Sequence, residues 1–151
     1  MAPMACNRLL RKIGVAVLLA MIAACNGKPT AAPISTVTSM QSVELKPGAG
    51  DGVTAGKIAV VQYTGWLYEA TAPDNKGKQF DSSRTAGQPF RFPLGSGQVI
   101  KGWDQGVVGM KVGESRRLII PADLAYGDSG AGGVIPPGAT LVFDIDLVAI
   151  E

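Results

Sequence analysis

The chain has 151 residues, enough for one domain and a tail, and its 14 lysines and arginines against 12 acids leave a formal charge of +2. It has no histidine and only two cysteines, Cys6 and Cys25. Ser–His and Cys–His nucleophile pairs and histidine metal sites are thereby excluded. A nucleic-acid partner is not indicated either, since no basic stripe with interleaved aromatics is present.

At the N-terminus Arg8, Arg11 and Lys12 precede an uncharged run from Ile13 to Ala24. A basic start and a short apolar run ending in small residues predict a secretory signal over 1–24. The run falls short of the roughly 20 apolar residues a spanning helix needs. Its end, Ile22-Ala23-Ala24-Cys25, resembles a bacterial lipobox, which implies cleavage before Cys25 and a lipid on that residue. Asn26 rather than Asp follows. By similarity to enteric lipoproteins, this implies a cell-envelope protein held at the outer membrane facing the periplasm if the cell is Gram-negative. Membrane contact is then through the lipid alone. Cleavage removes three basic residues and no acid, so 11 face 12 and the charge becomes about −1. Cys25 is then the only cysteine, and an intramolecular disulfide is excluded.

Residues 25–41, rich in Pro, Ala, Ser and Thr, read as the lipidated cysteine and a flexible tether. The domain is expected over 42–151. Ser42–Lys46 predicts an edge strand closed by Pro47-Gly48, and Gly48–Gly56 a loop. Lys57–Tyr68 is β-branched and aromatic and predicts a strand, with Ala59, Val61 and Tyr63 on one face. Glu69–Gly77 is a long hairpin connection, Gln79–Ser82 resumes a strand, and Phe90–Leu94 is another, broken by Pro93. Ile100–Val108 is the only convincing helix: Ile100, Trp103 and Val107 share a face, while Gly102 and Gly106 weaken it. Ser115–Ile120 predicts a strand, Ala122–Tyr126 a helical turn at most. Thr140–Ile150 predicts a strand with Leu141, Phe143, Ile145 and Leu147 inward and Asp144 and Asp146 toward water. Lys101, Lys111, Arg116 and Arg117 read as solvated surface. Together these predict an α+β domain, an antiparallel sheet covering one helix.

Six motifs stand in order along it: Y-T-G (63–65), F-D-S-S-R (80–84), P-F-x-F (89–92), V-I-x-G-W (99–103), A-Y-G (125–127) and I-P-P-x-A-T-L-V-F-D (135–144). This constellation resembles the FKBP-type peptidyl-prolyl cis-trans isomerases over about Ser42–Glu151. The resemblance implies a half-open antiparallel sheet wrapped around one short helix, with a pocket between them. It implies Trp103 as the pocket floor, Tyr63, Phe80, Phe90, Val99, Ile100 and Phe143 as walls, and Tyr126 and Ile135 at the rim. In the family the residue matching Tyr126 offers its hydroxyl to a ligand carbonyl, and that matching Ile100 offers its backbone N–H. The residue matching Asp81 is a semi-buried acid beside the reacting imide, partnered by the tyrosine matching Tyr63. Phe92 reads as core.

The implied activity is rotation about X–Pro bonds of extracytoplasmic polypeptides, by a monomer without cofactor or metal. That rotation has a barrier of about 18–20 kcal/mol from amide resonance, which is strongest when the carbonyl is solvated. An apolar pocket that strips the carbonyl of water binds the twisted imide preferentially, with no covalent intermediate. The alternative is a chaperone or adhesion module that holds Pro-containing segments with incidental turnover. Two departures from the family's pattern stand out. Ala86 occupies a position where the family often has an Arg near the acid, which leaves Asp81 with one partner fewer. The rim loop Ser129–Gly133 lacks the His of eukaryotic members, which bears on binding of macrolide inhibitors of the rapamycin type more than on activity.

Overall fold

The β-branched and aromatic runs become strands, and the glycine- and proline-rich stretches between them become turns. The computed structural model describes residues 37–151. The signal segment, Cys25 and most of the tether lie outside the described residues. Six strands form one antiparallel sheet: β1 (Gln41–Lys46), β2 (Ile58–Tyr68), β3 (Lys76–Ser82), β4 (Phe90–Pro93), β5 (Ser115–Ile120) and β6 (Leu141–Ile150). Their order is β1-β5-β6-β2-β3, with β4 also on β2. The sheet is open, and one helix, α2 (Lys101–Gly106), packs on its inner face. The expected α+β architecture is therefore observed.

Strand β2 organises the site. One of its edges pairs with β6 over Ala59–Leu67. The other is shared, with β4 against Ile58–Val61 and β3 against Thr64–Tyr68. Between β3 and β4 the chain makes a single turn of helix, α1 (Ser83–Ala86), which was not expected. Its signal is Ser82, whose hydroxyl accepts from Arg84 N–H as an N-cap, and Gly87, which closes the turn at φ 73°. The ladder is interrupted at Tyr63, and serine hydroxyls take over. Tyr63 N–H donates to Ser83 Oγ at 2.9 Å, and Ser82 Oγ donates to the Tyr63 carbonyl at 3.1 Å. The S-S pair of the F-D-S-S-R motif thus satisfies backbone groups of β2 that a continuous strand would have paired.

Helix α2 is shorter than the nine residues expected and meets β5 through its glycines. An ideal Cβ at Gly102 would sit 2.4 Å from Ile120 Cγ2, and one at Gly106 2.4 Å from Leu118 Cδ1. Both partners are fully buried. The two residues that weaken the helix locally are therefore the ones that let it approach the sheet. Its start is tethered by Asp104, whose carboxylate accepts from Gly95 N–H (2.8 Å) and Gly97 N–H (3.0 Å). Its end is held by Arg116, whose Nη1 donates to the carbonyls of Gly106 (2.9 Å) and Val108 (3.3 Å). Arg116 is in turn paired with buried Glu114.

Arg116 and Arg117 are thus not solvated surface, whereas Lys101 and Lys111 are exposed. Arg117 pairs with Asp144 at 2.7 Å, and Lys76 pairs with the same carboxylate at 2.6 Å. Asp144 and Asp146 are half-buried rather than water-facing, and Asp146 binds Arg84 and Ser115. On the inner face Leu141, Phe143, Ile145 and Leu147 are buried as expected, with Ala59, Val61, Phe92 and Val107. Val53 is buried as well. It docks the expected loop Gly48–Gly56 onto the segment after α2, through Val53 N–H to Met110 O (2.8 Å) and Gly109 N–H to Val53 O (2.8 Å).

Candidate functional site

A cavity of about 340 Å³ opens between α2 and the sheet, lined by Tyr63, Phe80, Asp81, Phe90, Gln98, Val99, Ile100, Trp103, Tyr126 and Phe143. Trp103, on the first turn of α2, is its floor at 4% exposure. Four rings pack against the indole, with centroid distances of 4.9 Å (Tyr63), 5.3 Å (Phe143), 5.6 Å (Phe92) and 6.0 Å (Phe90). Most of these contacts are edge-to-face, the favourable arrangement for π-quadrupoles. Gly65 on β2 makes room for the back wall: an ideal Cβ there would lie 2.7 Å from both Phe143 and Phe80, whose rings meet edge-on at 5.6 Å. Phe90 and Tyr126 are each 40% exposed and stand at the mouth.

The polar side-chain groups of the lining are the Asp81 carboxylate, the Gln98 amide and the hydroxyls of Tyr63 and Tyr126, besides the indole N–H of the floor. The Tyr63 hydroxyl donates to Asp81 Oδ2 at 2.6 Å, and Ser82 N–H donates to Asp81 Oδ1 at 2.8 Å. Register explains this meeting, since Gly65 pairs with Asp81 on one side and with Phe143 on the other. Burial, then the hydrogen bond and charge of Asp81, push the Tyr63 hydroxyl well above its ordinary pKa. Burial and the Asp81 charge also raise Tyr126. Both hydroxyls are therefore neutral donors across the whole biological pH range. Ile100 is the residue preceding α2. Its carbonyl accepts from Trp103 N–H (2.9 Å) and Asp104 N–H (3.3 Å). Among the described residues its own N–H has no acceptor, which leaves it free for a ligand carbonyl. The indole Nε1 of Trp103 is buried without a partner among the described residues.

Nine of the ten residues expected in the domain's site line this cavity. Ile135 does not. It is 7% exposed and belongs to the core, because a bridge to Ala131 (N–H to O and O to N–H, each 3.0 Å) turns the rim loop back on itself. Gly130, at φ 61°, permits that turn, since an ideal Cβ there would lie 2.2 Å from the Ile135 carbonyl oxygen. Asp81 is exposed rather than semi-buried. Gln98 was not anticipated. Its signal was its place just before Val99 and Ile100, in the segment that Asp104 ties to the helix.

The pattern of FKBP-type peptidyl-prolyl cis-trans isomerases matches residues 50–148. An FK506-binding protein of Dictyostelium discoideum is 50% identical over 107 residues, which cover 71% of this chain and 94% of that protein. An FK506-binding protein of Neisseria meningitidis serogroup B is 49% identical, covering 71% of this chain and 92% of the relative. The crystal structure of FkpA from Escherichia coli superimposes with a TM-score of 0.64 at 38% identity. That superposition covers 76% of this chain and about half (49%) of FkpA.

Proposed function

The chain belongs to the FKBP-type peptidyl-prolyl cis-trans isomerase family, and we propose that it catalyses X–Pro rotation in the Trp103 cavity by desolvation and hydrogen bonding alone. The observation that carries this reading is the make-up of that cavity: an aromatic floor and walls, with one carboxylate, one carboxamide and two tyrosine hydroxyls among them and no ionisable group but Asp81 and the tyrosines. A proline ring is a compact apolar body that fits against the indole face. The preceding carbonyl then leaves water, which weakens the amide resonance behind the barrier of about 18–20 kcal/mol. The Ile100 N–H and the neutral Tyr126 hydroxyl would donate to carbonyls of the bound segment. Asp81, oriented by Tyr63, lies beside the imide. Each of these contacts gains as the imide twists, which is the requirement for catalysis rather than uniform binding.

The relatives are FK506-binding proteins by name. By that similarity, macrolides of the FK506 and rapamycin type would occupy the same cavity in competition with Pro-containing polypeptides. We propose further that Cys25 carries a lipid and anchors the protein in the cell envelope. The motif Ile22-Ala23-Ala24-Cys25 supports this. Radioactive palmitate is expected to label the wild type and not Cys25→Ala, and labelling of both would refute the anchor.

The isomerase reading is tested by NMR exchange on an Ala-Leu-Pro-Phe peptide. Substoichiometric protein is expected to accelerate cis–trans exchange, with loss in Asp81→Ala and in Trp103→Ala. Line broadening only near one-to-one protein, with no gain in rate, would replace the enzyme with a segment-holding chaperone.

A further inference from the structure

A second concavity, about 400 Å³, lies next to the first and is lined by Gln79, Phe80, Asp81, Ser82, Thr85 and Ala86. Phe80 and Asp81 line both. We propose that this groove receives the polypeptide flanking the isomerised proline, and that it favours a cationic side chain, Lys or Arg, close to that proline. The proposal rests on the isomerase reading above.

Three observations carry it. The first is continuity: a chain with its proline ring on Trp103 that passes the shared Phe80–Asp81 wall enters the groove directly. The second is charge. Asp81 is the only charged residue lining the groove, and it is exposed. Its oxygens accept from Tyr63 and Ser82, neither of which is cationic. Two basic residues lie three positions from it in sequence, Lys78 and Arg84; neither lines the groove, and Arg84 is engaged by Asp146. Small Thr85 and Ala86 leave the floor open, while Gln79, Ser82 and Thr85 offer neutral hydrogen-bonding groups to an ammonium or guanidinium. The third is backbone. Strand β3 is the last in the sheet, so among the described residues its outer edge carries unpaired N–H and C=O groups. An extended peptide pairs with such an edge, where main-chain bonds supply affinity and neighbouring side chains supply selectivity.

The test uses the full-length chain and peptides built on Ala-Leu-Pro-Phe. Lys, Ala or Glu is placed two residues before the proline in one series and two residues after it in another. In one of the two series the Lys peptide is expected to exceed the Glu peptide in kcat/KM by roughly two- to fivefold at low salt, the usual worth of an exposed ion pair. The gap should shrink in about 0.5 M NaCl. It should close in Ala86→Arg, and independently in Thr85→Lys, each of which places a fixed cation beside Asp81. Equal Lys and Glu rates in both series, or a preference that survives both variants, would overturn the groove assignment. The uncharged peptide separates the two readings. If its exchange is accelerated, the isomerase stands whatever the groove does; if it is not, the isomerase reading fails and the groove proposal falls with it.

Discussion

Gly102→Ala sets two physical effects of opposite sign against each other. By helix propensity alone the change stabilises α2 by about 1 kcal/mol. By packing it does the reverse. The new methyl would begin 2.4 Å from Ile120 Cγ2 and 2.7 Å from Ile120 Cδ1, where carbon–carbon contacts prefer about 3.5–4.0 Å. Ile120 is fully buried and cannot swing aside, so the helix must lift from β5 by about 1 Å. Overpacking of this kind costs about 1–3 kcal/mol, and the upper half of that range applies where neither partner can rotate away. The net expectation is a loss of about 1–2 kcal/mol, or roughly 4–8 °C in Tm for a domain of this size. Urea unfolding followed by tryptophan fluorescence measures it. Activity should suffer more than stability, because Trp103 rides on this short helix and Ile100 immediately precedes it. Displacing them by about 1 Å is expected to lower kcat/KM by roughly tenfold or more. Gln105→Ala, on the exposed side of α2, is the control and should change neither. A Gly102→Ala protein that is more stable than wild type with full activity would refute the close approach of α2 to β5.

Three further outcomes are expected. Tyr126→Phe should leave the urea midpoint unchanged and lower kcat/KM about fivefold, the worth of one neutral hydrogen bond; unchanged kcat/KM would remove the hydroxyl from the mechanism. The pH profile of kcat/KM should be flat from about pH 6 to about pH 9. The chain has no histidine, and burial with the Asp81 charge holds Tyr63 and Tyr126 above their ordinary values. A bell-shaped profile would point to proton transfer instead. At Asp144 burial acts to raise the pKa, but hydrogen bonds from Arg117 and Lys76 outweigh it and hold the carboxyl below its ordinary value. Its contribution to stability is therefore complete above the ordinary carboxylate pKa and is lost as pH falls through the lower folded value. The urea midpoint of Asp144→Asn should fall less steeply than that of wild type from about pH 7 to about pH 3. Parallel falls would show that the Arg117–Asp144–Lys76 cluster contributes no acid sensitivity.

What could be read in the chain, and what could not, divides by the range of the interaction. The period-two pattern of Leu141, Phe143, Ile145 and Leu147 is local, and it placed the central strand and its buried face correctly. The Trp103 helix was likewise visible from Ile100, Trp103 and Val107. Gly102 and Gly106 looked only like weaknesses, because the partners that require them, Ile120 and Leu118, lie more than ten residues away. Arg117 looked like surface for the same reason, since Asp144 lies 27 residues on across the sheet, whereas Arg116 is held by nearer groups, Glu114 two residues before it and the end of α2, which the fold buries. Ile135 was assigned to the rim by similarity, yet the bridge it makes with Ala131 turns it inward, and that bridge depends on a glycine at 130. The single turn at Ser83–Ala86 was hidden by its brevity. Its purpose appears only when the interrupted edge of β2 is known.

These long-range contacts bear on how a site without an ionisable catalyst near neutrality can work. Desolvation requires a cavity that stays the same shape with and without its occupant, since a wall that collapses in the empty state must be reopened at each turnover. Here the floor and the walls at Ile100 and Tyr63 are held from behind. Trp103 is wedged among four rings, and the helix bearing it lays its glycines on Leu118 and Ile120 of β5. Ile100 sits in a segment tied down by Asp104, and Tyr63 has both backbone groups satisfied by serines. The rim is held differently. Tyr126 and Phe90 are partly exposed, and Asp81 is anchored by only two hydrogen bonds. A rigid apolar interior with an adaptable polar mouth suits a catalyst that must accept many chains around one invariant ring. On the proposed mechanism the interior would set the rate of rotation, and discrimination among substrates would fall to the mouth and to the proposed groove beyond Phe80.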